Sequence, residues 1–169
     1  MGSLVTIGLA KFERAPIASD GGPGTVFTEY GGVSEDTFSF AEAEGTTKEV
    51  RIEQSSAPLK IFKKKGALIL NCSIADADTD LFAALRGGSV ATASGVKTYS
   101  EGDEVNDVEE TIRVTSDEGL IFTINRCSVS ALITGALGKN QELLLALTLT
   151  ALKPKKTGVP TWTASETVA

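Results

Sequence analysis

The stretch Glu142-Leu-Leu-Leu-Ala-Leu-Thr-Leu-Thr-Ala-Leu152 decides the fold class. Leu143, Leu145, Leu147, Leu149 and Ala151 recur at every second position, which places them on one face of an extended strand. Leu144 and Ala146 join Thr148 and Thr150 on the other face, so the strand reads as largely buried on both sides.

Working outward, the same period returns in Leu68, Leu70, Cys72 and Ile74, in Leu120, Phe122 and Ile124, and in Val129, Ala131 and Ile133. Residues 111–115 read as a half-buried strand, with Ile112 and Val114 inward and Arg113 outward. Residues 4–10, 25–30, 37–41, 48–53 and 59–63 are further candidates. The total is about nine or ten short strands separated by turn residues, which predicts a mainly β fold, a β-sandwich or barrel.

One segment departs from this pattern. Asp76-Ala-Asp-Thr-Asp-Leu-Phe-Ala-Ala-Leu-Arg-Gly-Gly88 opens with aspartates and continues with Leu81, Phe82 and Leu85 at helical spacing. Arg86 and then Gly87 end it. Aspartate satisfies the free N–H groups at a helix start, and glycine accepts the left-handed stop. A short flanking α-helix follows, its apolar side laid against the sheet.

At 169 residues the chain suits one β domain, assigned to residues 1–152, with residues 153–169 as a C-terminal tail or arm. Three stretches read as long loops: 13–24, rich in glycine and proline, 31–45, and the acidic 93–110. Phe38 and Phe40 suggest that part of the second one pairs or packs. The apolar run near the N-terminus precedes Lys11, Glu13 and Arg14, the reverse of a signal peptide's order, so synthesis inside the cell is expected. No run is long and apolar enough to span a bilayer as a helix. Cys72 and Cys127 fall within strand patterns and read as small buried hydrophobes rather than a disulfide.

The net charge is −6 and histidine is absent. A dedicated nucleic-acid binder would carry a basic stripe, so that class is disfavoured. A protein that lets nucleic acid pass without adhering is not. Without histidine the commonest general base and the Ser-His and Cys-His pairs are excluded, and no phosphate-binding or nucleophile-elbow motif occurs. No catalytic, cofactor-binding or metal-ligating residue is therefore assigned. Asp76, Asp78 and Asp80 imitate the opening of a calcium loop, but Leu81 and Gly87 stand where it needs glycine and glutamate. Lys60, Lys63, Lys64 and Lys65 read more simply as a charged strand edge than as a phosphate contact. The acids Glu101, Asp103, Glu104, Asp107, Glu109 and Glu110 fit either a solvated surface or a channel wall that repels phosphates.

The order of features in residues 45–92 resembles a known family. Gly45-Thr-Thr-Lys-Glu-Val-Arg-Ile-Glu53 leads into Ala57-Pro-Leu-Lys-Ile61, then Lys64-Lys-Gly66, a strand ending Cys72-Ser-Ile74, the helix with Asp78-Thr-Asp-Leu-Phe82, and Gly87-Gly-Ser-Val90. This block is similar to the centre of phage major tail tube proteins, and the alternation from Leu143 to Leu152 is similar to their closing strand. The resemblance implies six copies closing into a ring and rings stacking into a hollow tube in the virion tail. It implies partners that are further copies of the chain and other tail proteins, with DNA passing through the lumen unbound and no membrane contact. A secretion-system tube protein is the nearest alternative. A capsid or baseplate accessory protein and a β-sandwich binding module, which would need an exposed aromatic cluster, are the others.

Overall fold

The strong alternations become paired strands in the structure, a computed structural model that describes residues 7–104 and 106–166. In chain order the elements are β1 (Lys11–Pro16), β2 (Thr28–Glu29), β3 (Ser39–Glu42), β4 (Thr46–Val50), β5 (Lys60–Lys64), β6 (Leu68–Ile74), α1 (Thr79–Arg86), β7 (Ser89–Ala93), β8 (Val96–Ser100), β9 (Val108–Thr115), β10 (Ile121–Gly138), β11 (Gln141–Ala151) and β12 (Trp162–Ser165). The fold is mainly β with one short helix, as expected; the strand number is higher because several pieces are only two to five residues long.

The main sheet is antiparallel and runs β2-β1-β9-β10-β11-β6-β3, with β12 also on β10. Its inner face carries Leu70, Ile74, Ile112, Ile124, Leu145, Leu147 and Leu149, all essentially without solvent contact. Each such side chain contributes roughly 1.5–3 kcal/mol on burial. The sheet curls until residues 28–34 connect its two sides. Tyr30 N donates to Phe12 O (3.0 Å) at one side, while Ala75 N donates to Gly32 O (2.9 Å) and Ser34 N to Ser73 O (2.8 Å) at the other. The result is barrel-like.

β10 is where two predicted strands turn out to be one. Its inward residues are Phe122 and Ile124, then Cys127, Val129 and Ala131, so the parity changes from even to odd. Between the pairs Ile124–Ile112 and Cys127–Glu110, β10 advances three residues while β9 advances two. That extra residue is a β-bulge, which bends the strand and re-aims its side chains. Asn125 and Arg126 sit in it. Asn125 Nδ2 donates to Pro160 O (2.8 Å) and Arg126 Nη1 to Lys153 O (2.9 Å). The segment read as a tail thus runs against the bulge and contributes β12, whose Trp162 stacks on Phe122 (4.6 Å).

α1 forms as its sequence dictates. Asp78 Oδ1 accepts from Leu81 N (2.8 Å) at the N-cap, Gly87 N donates to Ala83 O at the other end, and Leu81 and Leu85 enter the core. Asp76 serves elsewhere, accepting from Gly32 N (2.5 Å).

Several expectations are corrected. The first strand among the described residues begins at Lys11; residues 7–10 lie in no strand, and residues 4–6 are outside the described part of the chain. The predicted loop 13–24 begins inside β1. Its charges disguised a strand, because Glu13 pairs with Arg113 (2.9 Å) and Arg14 with Glu110 (3.1 Å). The predicted loop 93–110 holds strand at both ends: β7 and β8 form a hairpin around Ser94 and Gly95, both at positive φ, and β9 starts at Val108. An exposed hairpin lacks the apolar alternation by which a strand is read. β11 is buried on its odd face from Leu145 onward, but Thr148 is exposed and Leu143 lies beyond the core.

Candidate assembly surfaces

Three hairpins leave the core with apolar groups uncovered. The first is β4–β5, exposed at every strand position. Its register pairs Thr46 with Lys64, Lys48 with Phe62 and Val50 with Lys60, so these six side chains share one face. Phe62, half exposed, sits at the centre, with Lys60 Nζ 4.8 Å over its ring. Of the predicted basic cluster, Lys60 and Lys64 therefore belong to an amphipathic face, while Lys63 points to the opposite side and Lys65 follows the strand.

The second is the β7–β8 hairpin, which rests on α1 through the stack of Tyr99 on Phe82 (5.7 Å) and the ion pair of Lys97 with Asp80, leaving Val96 exposed. The third is the distal part of β10–β11. β9 leaves β10 at Val129 and β6 leaves β11 at Leu145. Beyond those points the two strands pair only with each other among the described elements, and Leu132, Ile133, Leu137 and Leu143 are exposed. Free strand edges beside apolar side chains are a template for pairing with another chain.

A fourth surface is concave. Six of the ten aromatic residues, scattered in the sequence, form a continuous series: Tyr30 on Phe12 (4.6 Å), then Phe38 (5.3 Å), Phe40 (5.4 Å), Phe122 (5.2 Å) and Trp162 (4.6 Å). Phe12, Phe38, Phe40 and Phe122 line a cavity of about 1080 Å³ whose rim carries Glu29, Glu35, Asp36 and one cation, Lys11. This cluster is not legible in the sequence, because its rings come from β1, β3, β10, β12 and the loop between β2 and β3 and meet only through the sheet's curl.

The acids expected to form one charged loop divide. Glu109 binds Arg126 (2.5 Å), which holds its carboxyl below the usual range, and Glu101 binds Arg86. Glu110 faces inward, accepting from Arg14 and from Tyr30 Oη (2.5 Å). Burial, with Glu110 alongside, pushes the Tyr30 phenol well above its ordinary value. Asp103, Glu104 and Asp107 make no ion pair among the described residues. Cys72 and Cys127 are free and buried, and burial pushes both thiols up to about 12, far from reactive thiolates. No helix among the described residues is long and apolar enough to cross a membrane.

Two comparisons bear on these surfaces. The family model described as phage tail tube protein matches residues 9–169. No curated protein matches the chain.

Proposed function

Because the chain belongs to the phage tail tube protein family, we propose that it closes with further copies into rings, six to a ring, that stack into the hollow tube of a virion tail. The tube conducts DNA, and the subunit is made in the bacterial host. Its work is structural, in the geometry of its interfaces rather than in any reacting group.

One observation carries this reading: three hairpins present apolar side chains and strand edges that nothing among the described residues covers. A ring needs a heterologous interface whose rotation closes, and pairing of strand edges supplies backbone hydrogen bonds for it. The aromatic series would suit a ligand-binding module too, but a sugar platform does not explain the exposed hairpins or the match over nearly the whole chain. The net charge of −6 suits a wall that DNA phosphates must pass, with Asp103, Glu104 and Asp107 as the unpaired acids available for it.

Negative-stain electron microscopy with light scattering over a concentration series tests the proposal. Annular particles or tubes with a central hole are expected. A strict monomer at every concentration, even with isolated tail initiator complexes added, refutes it. In assembled particles, Asp103→Asn with Glu104→Gln and Asp107→Asn should slow DNA ejection; unchanged ejection removes the acidic wall from the mechanism.

A further inference from the structure

The β4–β5 hairpin and the aromatic cavity have inverse patterns. Residues 46–65 hold six cations against two carboxylates, in a chain whose net charge is −6. Arg51 and Glu49 neutralise each other at 2.6 Å. Lys48, Lys60 and Lys64 make no ion pair among the described residues, and they ring Phe62 and Val50 on a single face. The cavity has aromatic walls, with Phe40 half exposed, under a rim where Glu29, Glu35 and Asp36 outnumber the single cation Lys11 and likewise make no ion pair among the described residues. Asp36 is held at the turn with φ 59, a left-handed backbone that a short acidic side chain tolerates. An apolar centre with a basic rim on the hairpin thus has its complement, elsewhere on the same molecule, in an apolar hollow with a mainly acidic rim.

We propose that the β4–β5 hairpin of one copy docks in the aromatic cavity of the next, Phe62 extending the ring series at Phe40 while Lys48, Lys60 and Lys64 meet Glu29, Glu35 and Asp36. This rests on the assembly reading above and names the partner surface for one of its hairpins. The contact is heterologous, so it propagates from copy to copy. Three opposed charge pairs fix its register and suppress wrong pairings, and the buried aromatic centre supplies affinity. The docking would also cover Phe40, the ring of the cavity wall that stands half exposed beside the buried Phe12 and the part-buried Phe38 and Phe122.

The test joins carboxylates to lysines with a zero-length carbodiimide in a mixture of ordinary and ¹⁵N-labelled full-length chains, read by mass spectrometry beside light scattering. Mixed-isotope links from Lys48, Lys60 or Lys64 to Glu29, Glu35 or Asp36 are expected. Charge reversal at the three lysines should raise the concentration needed for assembly by about tenfold or more, as should reversal at the three acids, and both together in one chain should restore it. All six positions are on the surface, so thermal midpoints should not move apart from a small fall where reversal puts a long side chain at the left-handed Asp36 turn. Particles that form with links elsewhere, or that tolerate either reversal alone, overturn the docking and leave the tube reading intact. Neither particles nor mixed-isotope links at any concentration would overturn both.

Discussion

Thr111 connects three parts of the fold through one hydroxyl, and replacing it by valine should be costly in a way its volume does not suggest. The side chain is fully buried on β9. Its Oγ1 accepts from Gly24 N (2.8 Å) and donates to Asn125 O (3.0 Å) in the bulge of β10. Thr111→Val keeps the shape and the β-branch, so no cavity opens. It strips a partner from the Gly24 amide, which cannot retreat: a Cβ built on Gly24 would lie 2.2 Å from Pro16 O, so that backbone is seated against β1. A buried N–H left unpaired costs about 1–3 kcal/mol, and the lost bond to Asn125 about 1 more. The expected loss is thus about 3 kcal/mol, and with a urea slope near 2 kcal/mol per molar the unfolding midpoint should fall by about 1.5 M. Thr111→Ser, which keeps both bonds and loses one methyl, should cost only about 1 kcal/mol. Equilibrium urea unfolding of subunits kept below their assembly concentration, followed by tryptophan fluorescence, measures both. If valine costs no more than serine, the hydroxyl does not hold the bulge to the 20–24 loop and the reasoning fails.

Three other outcomes are expected. Tyr30, Cys72 and Cys127 all have proton affinities raised by folding, so their stabilisation is complete below pH 9, where unfolded thiols begin to ionise, and is lost as pH rises toward 12. Unfolding free energy measured from pH 8 to 11 should therefore decline, and Tyr30→Phe should decline less steeply; equal slopes would remove Tyr30 from the alkaline limb. A thiol reagent at pH 8 should leave both cysteines unmodified in the native subunit and titrate two in denaturant, a free native thiol being the contrary result. Trp162→Ala should lower stability by about 1–2 kcal/mol through loss of the stack on Phe122, whereas a segment acting only as an arm would leave the thermal midpoint where it was.

Much of the barrel was legible because burial on one sheet face has a period of two, and a linear sequence displays that period locally. Leu143 to Ala151, Leu68 to Ile74 and Ile112 to Val114 each announced a strand and its inward side. The even-to-odd change between Ile124 and Cys127 stood in the sequence as well, though its meaning as a single bent strand needed the partner β9. Asp78 and Gly87 marked the helix because capping acts within one turn. Three strands were missed for the same physical reason, although the exposed β4 and β5 were found: β1, β7 and β8 have no simple apolar side to show, and their pairing is set by Arg113, Glu110 and the turn at Ser94 and Gly95.

By itself, then, the sequence determined a mainly β chain with one helix, lacking histidine and net acidic, in which a stretch from residue 45 to residue 92 already resembled tail tube proteins. Only the tertiary structure decided which side chains meet. It gathered Phe12, Tyr30, Phe38, Phe40, Phe122 and Trp162 into one series, turned Glu110 inward toward Arg14 while Glu109 found Arg126, and left the β4–β5 hairpin uncovered. Those outcomes depend on strand order and register across more than a hundred residues, and a two-residue period carries no record of either.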